Sequence, residues 1–370
     1  MFGDRLREGS LIYNLKCYHY SMGKYIKLIC LSLILGVTVF IVSTTLYYKN
    51  FPKIYTNNFP FLLKEKVEKP VTILAFGDMM LDRNVRVKIK ANTTSYPFEN
   101  IRSFLSGHDI VVANLEGVFT NFPSVTAGVI DGPLQFTFDP KIIATLKQFN
   151  FNLFSIANNH SLNFGRVELD KSNKLLEKEG MSWFGDPSNK NLNSFTTTVR
   201  GEKITFIGYH EFAYQGLDLI LNEIKLAKEN KSFVIVYPHW GEEYNKSMTK
   251  SQISMAHKFI DAGADIILGS HPHVIEPIEI YNGKVIFYSL GNFIFDQYNS
   301  GPTTEGLSVG ISITKDEVKY NIYPIDIKKA QASLMSKINS DLVLNNLSNK
   351  SVADDKIKDG IKSGIFSLKK

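Results

Sequence analysis

A chain of 370 residues with 44% hydrophobic and 21% charged side chains can build a full core, and its composition is not that of a disordered protein. Its formal net charge is +6, but much of the excess sits in Met1–Lys27, where Arg5, Arg7, Lys16, Lys24 and Lys27 face only Asp4 and Glu8; the weak balance left speaks against a nucleic-acid-binding face. Both cysteines, Cys17 and Cys30, lie at or inside the first hydrophobic segment, which excludes a disulfide framework or a cysteine zinc site beyond it.

The first predicted element is Leu28–Tyr48, LICLSLILGVTVFIVSTTLYY, an uncharged run long enough to cross a bilayer as a helix. Lys24 and Lys27 precede it, and the basic amino-terminal segment favours a cytoplasmic amino terminus; Tyr47 and Tyr48 suit the far interface. A cleaved signal peptide is the competing reading. The apolar run is too long for it, and no small-x-small cleavage site follows. The expected organisation is a cytoplasmic tail over 1–27, a transmembrane helix over 28–48 and a linker over 49–69. The main domain, 70–327, is expected outside the cell, followed by a carboxyl-terminal extension over 328–370.

Strands are expected at Val71–Phe76 and Ile110–Ala113. Asp139-Pro140 then supplies an N-cap and a first-turn proline for a helix carrying Ile142, Ile143, Leu146 and Phe149. Phe151–Ile156 reads as a strand, Gly165–Gly180 as a helix, Lys203–Gly208 as a strand and Leu217–Lys228 as a helix. Phe233–Tyr237 is a strand, Ser251–Ala262 a helix stopped by Gly263, and Asp265–Leu268 a strand. Lys284–Leu290, Leu307–Ile313 and Glu317–Pro324 read as strands without helices between them. The alternation predicts an α/β fold whose sheet is partly antiparallel. The Lys-, Ser- and Asn-rich 328–370 reads as one or two surface helices or a partly disordered tail.

Polar motifs follow these strands, and in α/β proteins the carboxyl ends of strands line the ligand crevice. Gly77-Asp78-Met79-Met80-Leu81-Asp82-Arg83 offers the Asp78 carboxylate as a metal ligand and the Arg83 guanidinium for an anionic substrate group. Asn114-Leu115-Glu116-Gly117 adds a second carboxylate, able to bridge metals or hold a water. Asn158-Asn159-His160 offers amides and an imidazole, for ligation or as an acid near a leaving group. His239-Trp240-Gly241-Glu242-Glu243 and Ser270-His271-Pro272-His273 complete the set. Each alone also reads as a strand-end turn, a helix cap or a hydrogen-bonded core histidine. Carboxylate and neutral imidazole are the side chains that hold a divalent ion such as Mn, Zn or Fe. His19, His108, His210 and His257 lack such surroundings in the sequence.

Together, GDMMLDR, NLEG, ANNHSLNFG, HWGEEY and GSHPHVIEPIEIYNGKVIFYSLGNFIF make Val71–Ile325 resemble the bacterial poly-γ-glutamate capsule-biosynthesis family (CapA/PgsA type), of calcineurin-like metallophosphatase fold. The resemblance implies a layered mixed β-sheet sandwich flanked by helices. It implies a membrane-bound protein that handles an anionic polymer such as poly-γ-glutamate beside capsule-synthase membrane subunits. It assigns metal roles to Asp78, Glu116, Asn159, His239, His271 and His273, and proton donation to His160. Two departures stand out. Met79 and Met80 follow Asp78 where metallophosphatases carry Asp-x-His, and Asn163 stands where an Asp commonly precedes the motif's glycine. A metal-dependent hydrolase of a phosphoester or amide bond and a non-catalytic assembly subunit are the rival readings.

Overall fold

The computed structural model describes residues 28, 31–46, 69–129, 132–191, 194–298 and 300–370. The chain divides into two units, Met1–Val67 and Glu68–Lys370. In the first unit residues 31–46 are helical, with apolar side chains exposed. The expected cytoplasmic tail, residues 29–30 and 47–48 of the expected span, and nearly all of the linker lie outside the described residues. Among the described residues, no helix is long and apolar enough to cross a membrane.

The second unit is built on two sheets. In the larger, β1 (Val71–Met79) runs parallel to β2 (Ile110–Leu115), followed by β5 (Leu153–Ser155) and β6 (Ser182–Phe184). On its other side lie antiparallel β14 (Glu305–Ile313), β15 (Glu317–Lys328) and β16 (Gln331–Leu334). β13 (Asn292–Ile294) pairs with the end of β1, and β17 (Ile365–Lys369) with β15. The smaller sheet has the order β11 (Ile278–Tyr281), β12 (Lys284–Phe287), β10 (Ile266–Leu268), β9 (Phe233–His239), β8 (Glu202–His210), β7 (Phe195–Val199). A short parallel pair, β3 (Val118–Phe119) and β4 (Thr137–Phe138), stands apart.

Alternation along the strands sets the layers. Val71, Ile73 and Ala75 of β1 bury against Ile204 and Phe206 of β8 and Ile235 and Tyr237 of β9, which packs the sheets face to face. Leu74 and Phe76 point the other way, onto Val85 and Ile89 of the helix Arg83–Ala91 and Ile142 and Leu146 of the helix Ile142–Gln148. Val234 and Val236 face Ile220 and Ile224 of Leu217–Glu229 and Ala256 and Phe259 of Lys250–Asp261. Each such side chain stabilises the fold by about 1.5–3 kcal/mol when fully buried. The result is helix–sheet–sheet–helix, mixed α/β as expected. Across the central layer the Tyr237 hydroxyl donates to Phe76 O, tying β9 to β1.

Three differences from the sequence reading have physical causes. The tail has the two helices that were one of the expectations, Lys337–Lys350 and Asp355–Ser363, but it also adds β16 and β17 to the larger sheet, because Leu344, Leu347, Ile357, Ile361 and Phe366 supply apolar side chains among the lysines; Phe366 of β17 stacks on Tyr320 at 4.9 Å. β11 and β12 form a hairpin through Asn282 and Gly283, whose φ values of 48° and 72° suit the tight turn that Asn-Gly favours. The helix Arg83–Ala91 buries Val85, Arg86 and Ile89 despite its basic character; Arg86 Nε donates to Asp82 Oδ1 at 2.8 Å.

Candidate metal centre

Parallel strands of both sheets end at one place. Gly77 allows it: a Cβ there would stand 1.8 Å from Gly291 O. With no Cβ in the way, Asp78 N–H donates to Gly291 O at 3.0 Å. The Asp78 side chain is fully buried. Its Oδ1 accepts from Asn114 Nδ2 at 2.8 Å and its Oδ2 from the His271 backbone N–H at 3.1 Å. Asn158 supports this wall, donating to Asn114 Oδ1 at 3.0 Å and Leu115 O at 2.9 Å while its Oδ1 accepts from His160 N–H and Ser161.

His271 and His273 have φ values of 97° and 60°. Such backbone costs about 1–3 kcal/mol per residue and survives only where the surroundings impose it. Here the Asp78 carboxylate holds His271 N–H, and Tyr244 N–H donates to Pro272 O at 2.8 Å.

Outer partners hold the histidine rings. His239 Nδ1 lies 3.1 Å from Ser270 Oγ, which donates to Pro238 O, and 3.3 Å from Asn114 Nδ2, so this nitrogen is held in the outer shell. Asn163 Oδ1, already receiving Phe136 N–H at 2.8 Å, accepts from His160 Nδ1 at 3.1 Å. Asn292 Nδ2 donates to Gln297 Oε1 and Thr303 O, which turns its Oδ1 toward His273 Nδ1 at 3.0 Å; Asp78 Oδ2 lies 3.1 Å from the same nitrogen. Each ring therefore presents Nε2 to the centre. His239 Nε2 lies 3.0 Å from Asn159 Oδ1 and 3.1 Å from His271 Nδ1. Two ring nitrogens at that distance need a proton or a cation between them.

Glu116 Oε1 is buried without a hydrogen-bond partner, 3.7 Å from His273 Nε2 and 3.8 Å from His160 Nε2. An unsatisfied buried acceptor costs about 1–3 kcal/mol. One potential ligand atom from each of Asp78, Glu116 and His239 lies within 4.8 Å of the others. Carboxylates, neutral imidazoles and an amide oxygen form a donor set that fits a divalent cation.

The electrostatics agree. Burial drives His239 well below the usual imidazole range, and its imidazole neighbours push it further down; burial takes His271 to about 3 and His160 to about 4. His273 goes the other way: burial opposes its charge, but Glu116 and Asp78 outweigh this and lift it to about 9. Burial raises Glu116 well above the carboxylate range. Without a cation, this anion-rich wall keeps a proton on His273.

Asp78, Glu116, Asn159, His160, His239, His271 and His273 thus lie in one continuous cluster. Asn159 is exposed at its rim. Arg83, expected to meet an anionic substrate group, already faces a carboxylate: its Nε lies 3.3 Å from Asp296 Oδ1. Trp240 is a core residue, fully buried, with Nε1 donating to Tyr288 O at 2.8 Å. The sequence reading missed His210. β8 runs two residues past the expected end, so His210 pairs with His239 across the sheet, their rings 6.0 Å apart. Its Nδ1 contacts Pro187 O at 2.6 Å and its buried Nε2 has no partner. The signal was present: β8 alternates up to Tyr209. Asn114 and Asn292, noted in the motifs but not as site residues, orient Asp78 and His273.

The model of the family described as bacterial capsule synthesis protein PGA_cap matches residues 72–297, which include every residue of this cluster. The chain belongs to this family. It is 28% identical over 255 residues to the capsule biosynthesis protein CapA of Bacillus anthracis, covering 64% of this chain and 62% of that protein. It is 28% identical over 313 residues to the PGA biosynthesis protein CapA of Bacillus subtilis (strain 168), covering 77% and 82%. Among solved structures, Vacuolar Protein Sorting 29 from Cryptosporidium parvum aligns over 72% of this chain and 97% of that chain, with 14% identity and a TM-score of 0.33. The motifs GDMMLDR through GSHPHV that carried the resemblance all fall within the PGA_cap match.

Proposed function

We propose that this protein acts in the synthesis or export of a poly-γ-glutamate-type capsule polymer and that the cluster is a divalent-metal centre working on that material. Membership of the PGA_cap family and the names of its Bacillus relatives support the polymer. The observation that carries the chemistry is the buried, partnerless Glu116 Oε1 among imidazole nitrogens held toward it. Asp78, Glu116, Asn159, His239, His271 and His273 would hold the ion. Once bound, a divalent ion supplies Lewis acidity and an acidified water. The protein's own groups do the rest. Ser270, Asn163 and Asn292 lock the rings, and Phe136 and Phe212 pack on His160 and His271 at 4.2 and 4.5 Å to exclude water. His160, neutral with its Nδ1 proton on Asn163, takes a proton at Nε2 before it can give one to a leaving group. The bond acted on is a phosphoester or an amide, and capsule-synthase membrane subunits are its partners in the cell. The chain is anchored by the apolar segment 28–48 with residues 70–327 outside the cell. A reporter fused after Lys69 that is active only in the cytoplasm would refute this topology.

The test is capsule output in a strain relying on this chain. His160→Ala should lower polymer by roughly 100-fold, the scale of lost acid–base catalysis. His273→Ala should abolish it, with protein level and membrane fraction unchanged in both. Normal polymer from both variants would make the chain an assembly subunit. Lys174→Ala, on an exposed helix face, is the control. His257 is unsuitable, because it pairs with Glu279 at 3.0 Å and stacks on Tyr281 at 3.7 Å.

A further inference from the structure

The loop after His239 and the segment after His273 both leave the metal centre and meet again at a separate cavity. The loop brings Lys246 and the segment brings Ile275 and Glu276; Glu305 of β14 and Val343 and Lys350 of the helix Lys337–Lys350 close the walls. The cavity is partly open and holds about 80 Å3, room for several waters or for a carboxylate with its adjoining methylenes. No residue of the metal cluster lines it.

Ile275 and Val343 make part of the wall apolar, as ligand pockets generally are. The charged groups do not cancel. Lys246 and Lys350 are exposed, and among the described residues neither forms an ion pair. Burial raises the Glu305 carboxyl above its usual range; Asp326 adds to this and Lys246 opposes it. Glu276 is buried and held from one side. Gln252 Oε1 accepts from Thr249 N–H at 2.7 Å, which turns Gln252 Nε2 to Glu276 Oε2, also at 2.7 Å; Glu276 Oε1 has no partner. Burial lifts this carboxyl to about 8, so at neutral pH it keeps a proton and adds little charge. Two ammonium groups against one carboxylate leave the cavity positive. A buried polar group without a partner is costly, and an incoming ligand can satisfy it.

We propose that this cavity takes a pendant carboxylate of the glutamate polymer, with Lys246 and Lys350 as counter-ions, Glu276 as hydrogen-bond partner and Ile275 and Val343 against the backbone methylenes. Glu276 stands three residues after His273, at most about 11 Å along an extended chain. One polymer strand can therefore lie in the cavity and reach the centre at once. The proposal rests on the polymer reading above and names a place where the polymer is held.

The test uses the full chain in detergent and a fluorescein-labelled γ-linked oligoglutamate, followed by fluorescence anisotropy at neutral pH in chelator, so that no ion at the centre contributes. The wild type should bind it, and a γ-linked oligoglutamine of equal length should not bind. Lys246→Gln/Lys350→Gln should weaken binding by roughly 5- to 30-fold, the upper range for two exposed ion pairs. Asn346→Trp, at an exposed helix position lining the cavity, fills it without changing charge and should weaken binding at least as much. Lys174→Gln/Lys225→Gln removes the same charge from exposed positions elsewhere and should bind like the wild type. Melting of all these variants should match the wild type, because every altered residue is exposed. Wild-type affinity in Lys246→Gln/Lys350→Gln or in Asn346→Trp would overturn the proposal, as would an equal loss in Lys174→Gln/Lys225→Gln. Binding of oligoglutamate only after Mn2+ is added would also overturn it and leave the polymer reading standing on the centre alone. A wild type that binds oligoglutamate in neither state would overturn the polymer reading itself.

Discussion

Asn163 decides what His160 can do. Its Oδ1 is fixed as an acceptor by Phe136 N–H, so it takes the His160 Nδ1 proton, yet as a neutral amide it gives no charge to balance an imidazolium. Burial then keeps the ring neutral down to about pH 4. Asn163→Asp keeps the acceptor and adds the missing charge. The expected outcome is a rise of roughly 1–3 pH units in the His160 pKa, the usual effect of an adjacent opposite charge. Imidazole C–H shifts of the metal-free chain followed by NMR against pH would show it. An unchanged titration would mean that the ring is held by something other than Asn163. Hydrolysis steps that need a protonated leaving group should gain from the same change, and those that need a base should lose.

The end of β1 is the element on which the site depends. Gly77→Ala would drive a Cβ into Gly291 O, forcing β1 from β13 and breaking the Asp78 N–H bond to Gly291. Overpacking of this kind destabilises by about 1–3 kcal/mol, and here it should also weaken metal uptake through Asp78. Gly301→Ala, with open space around the new Cβ, is the matched control. Denaturant midpoints that coincide for the two variants would contradict this account. The same strand shows what could be read from the sequence. An apolar run closed by Gly-Asp announced both strand and site, as did the runs before Glu116, His160, His239 and His271. The sequence pattern hid residues that act through a partner. Asn114 and Asn292 matter only because Asp78 and His273 lie beside them. His210 needs its cross-sheet neighbour His239 to look unusual. β17 was invisible because its few apolar residues gain meaning only against β15.

The molecule as a whole carries an unusual set of buried titratable groups, and their signs define its pH range. His160, His271, His239 and His210 are all lowered by burial, so below pH 6.5 the unfolded chain binds protons that the folded chain refuses. Their effect is to make stability fall as pH drops from about 6.5 through 4. His273 is raised: its contribution is complete below 6.5 and is lost as pH rises through about 9. Burial raises Glu276 to about 8, so its contribution is present below 4.5 and is lost as pH rises through 8. The metal-free chain should therefore melt highest near pH 6.5 and lose stability as pH rises from there through about 9. Scanning calorimetry in chelator from pH 4 to 10 would reveal it; a flat profile below pH 7 would contradict the burial of the histidines in solution.

Strand β1 pairs Val71 with Ile313, and β17 closes on β15 only at the end of the chain. A ribosome releases the first strand long before it makes the strand that covers its edge. During that interval β1 offers an apolar, unpaired backbone edge to whatever lies nearby, and contacts so distant in sequence form slowly. If the domain is threaded through a membrane during synthesis, the waiting time is spent partly in the translocation channel. Delivery of β14 and β15, rather than collapse of the strands made before them, then becomes the step that commits this sheet to its native order.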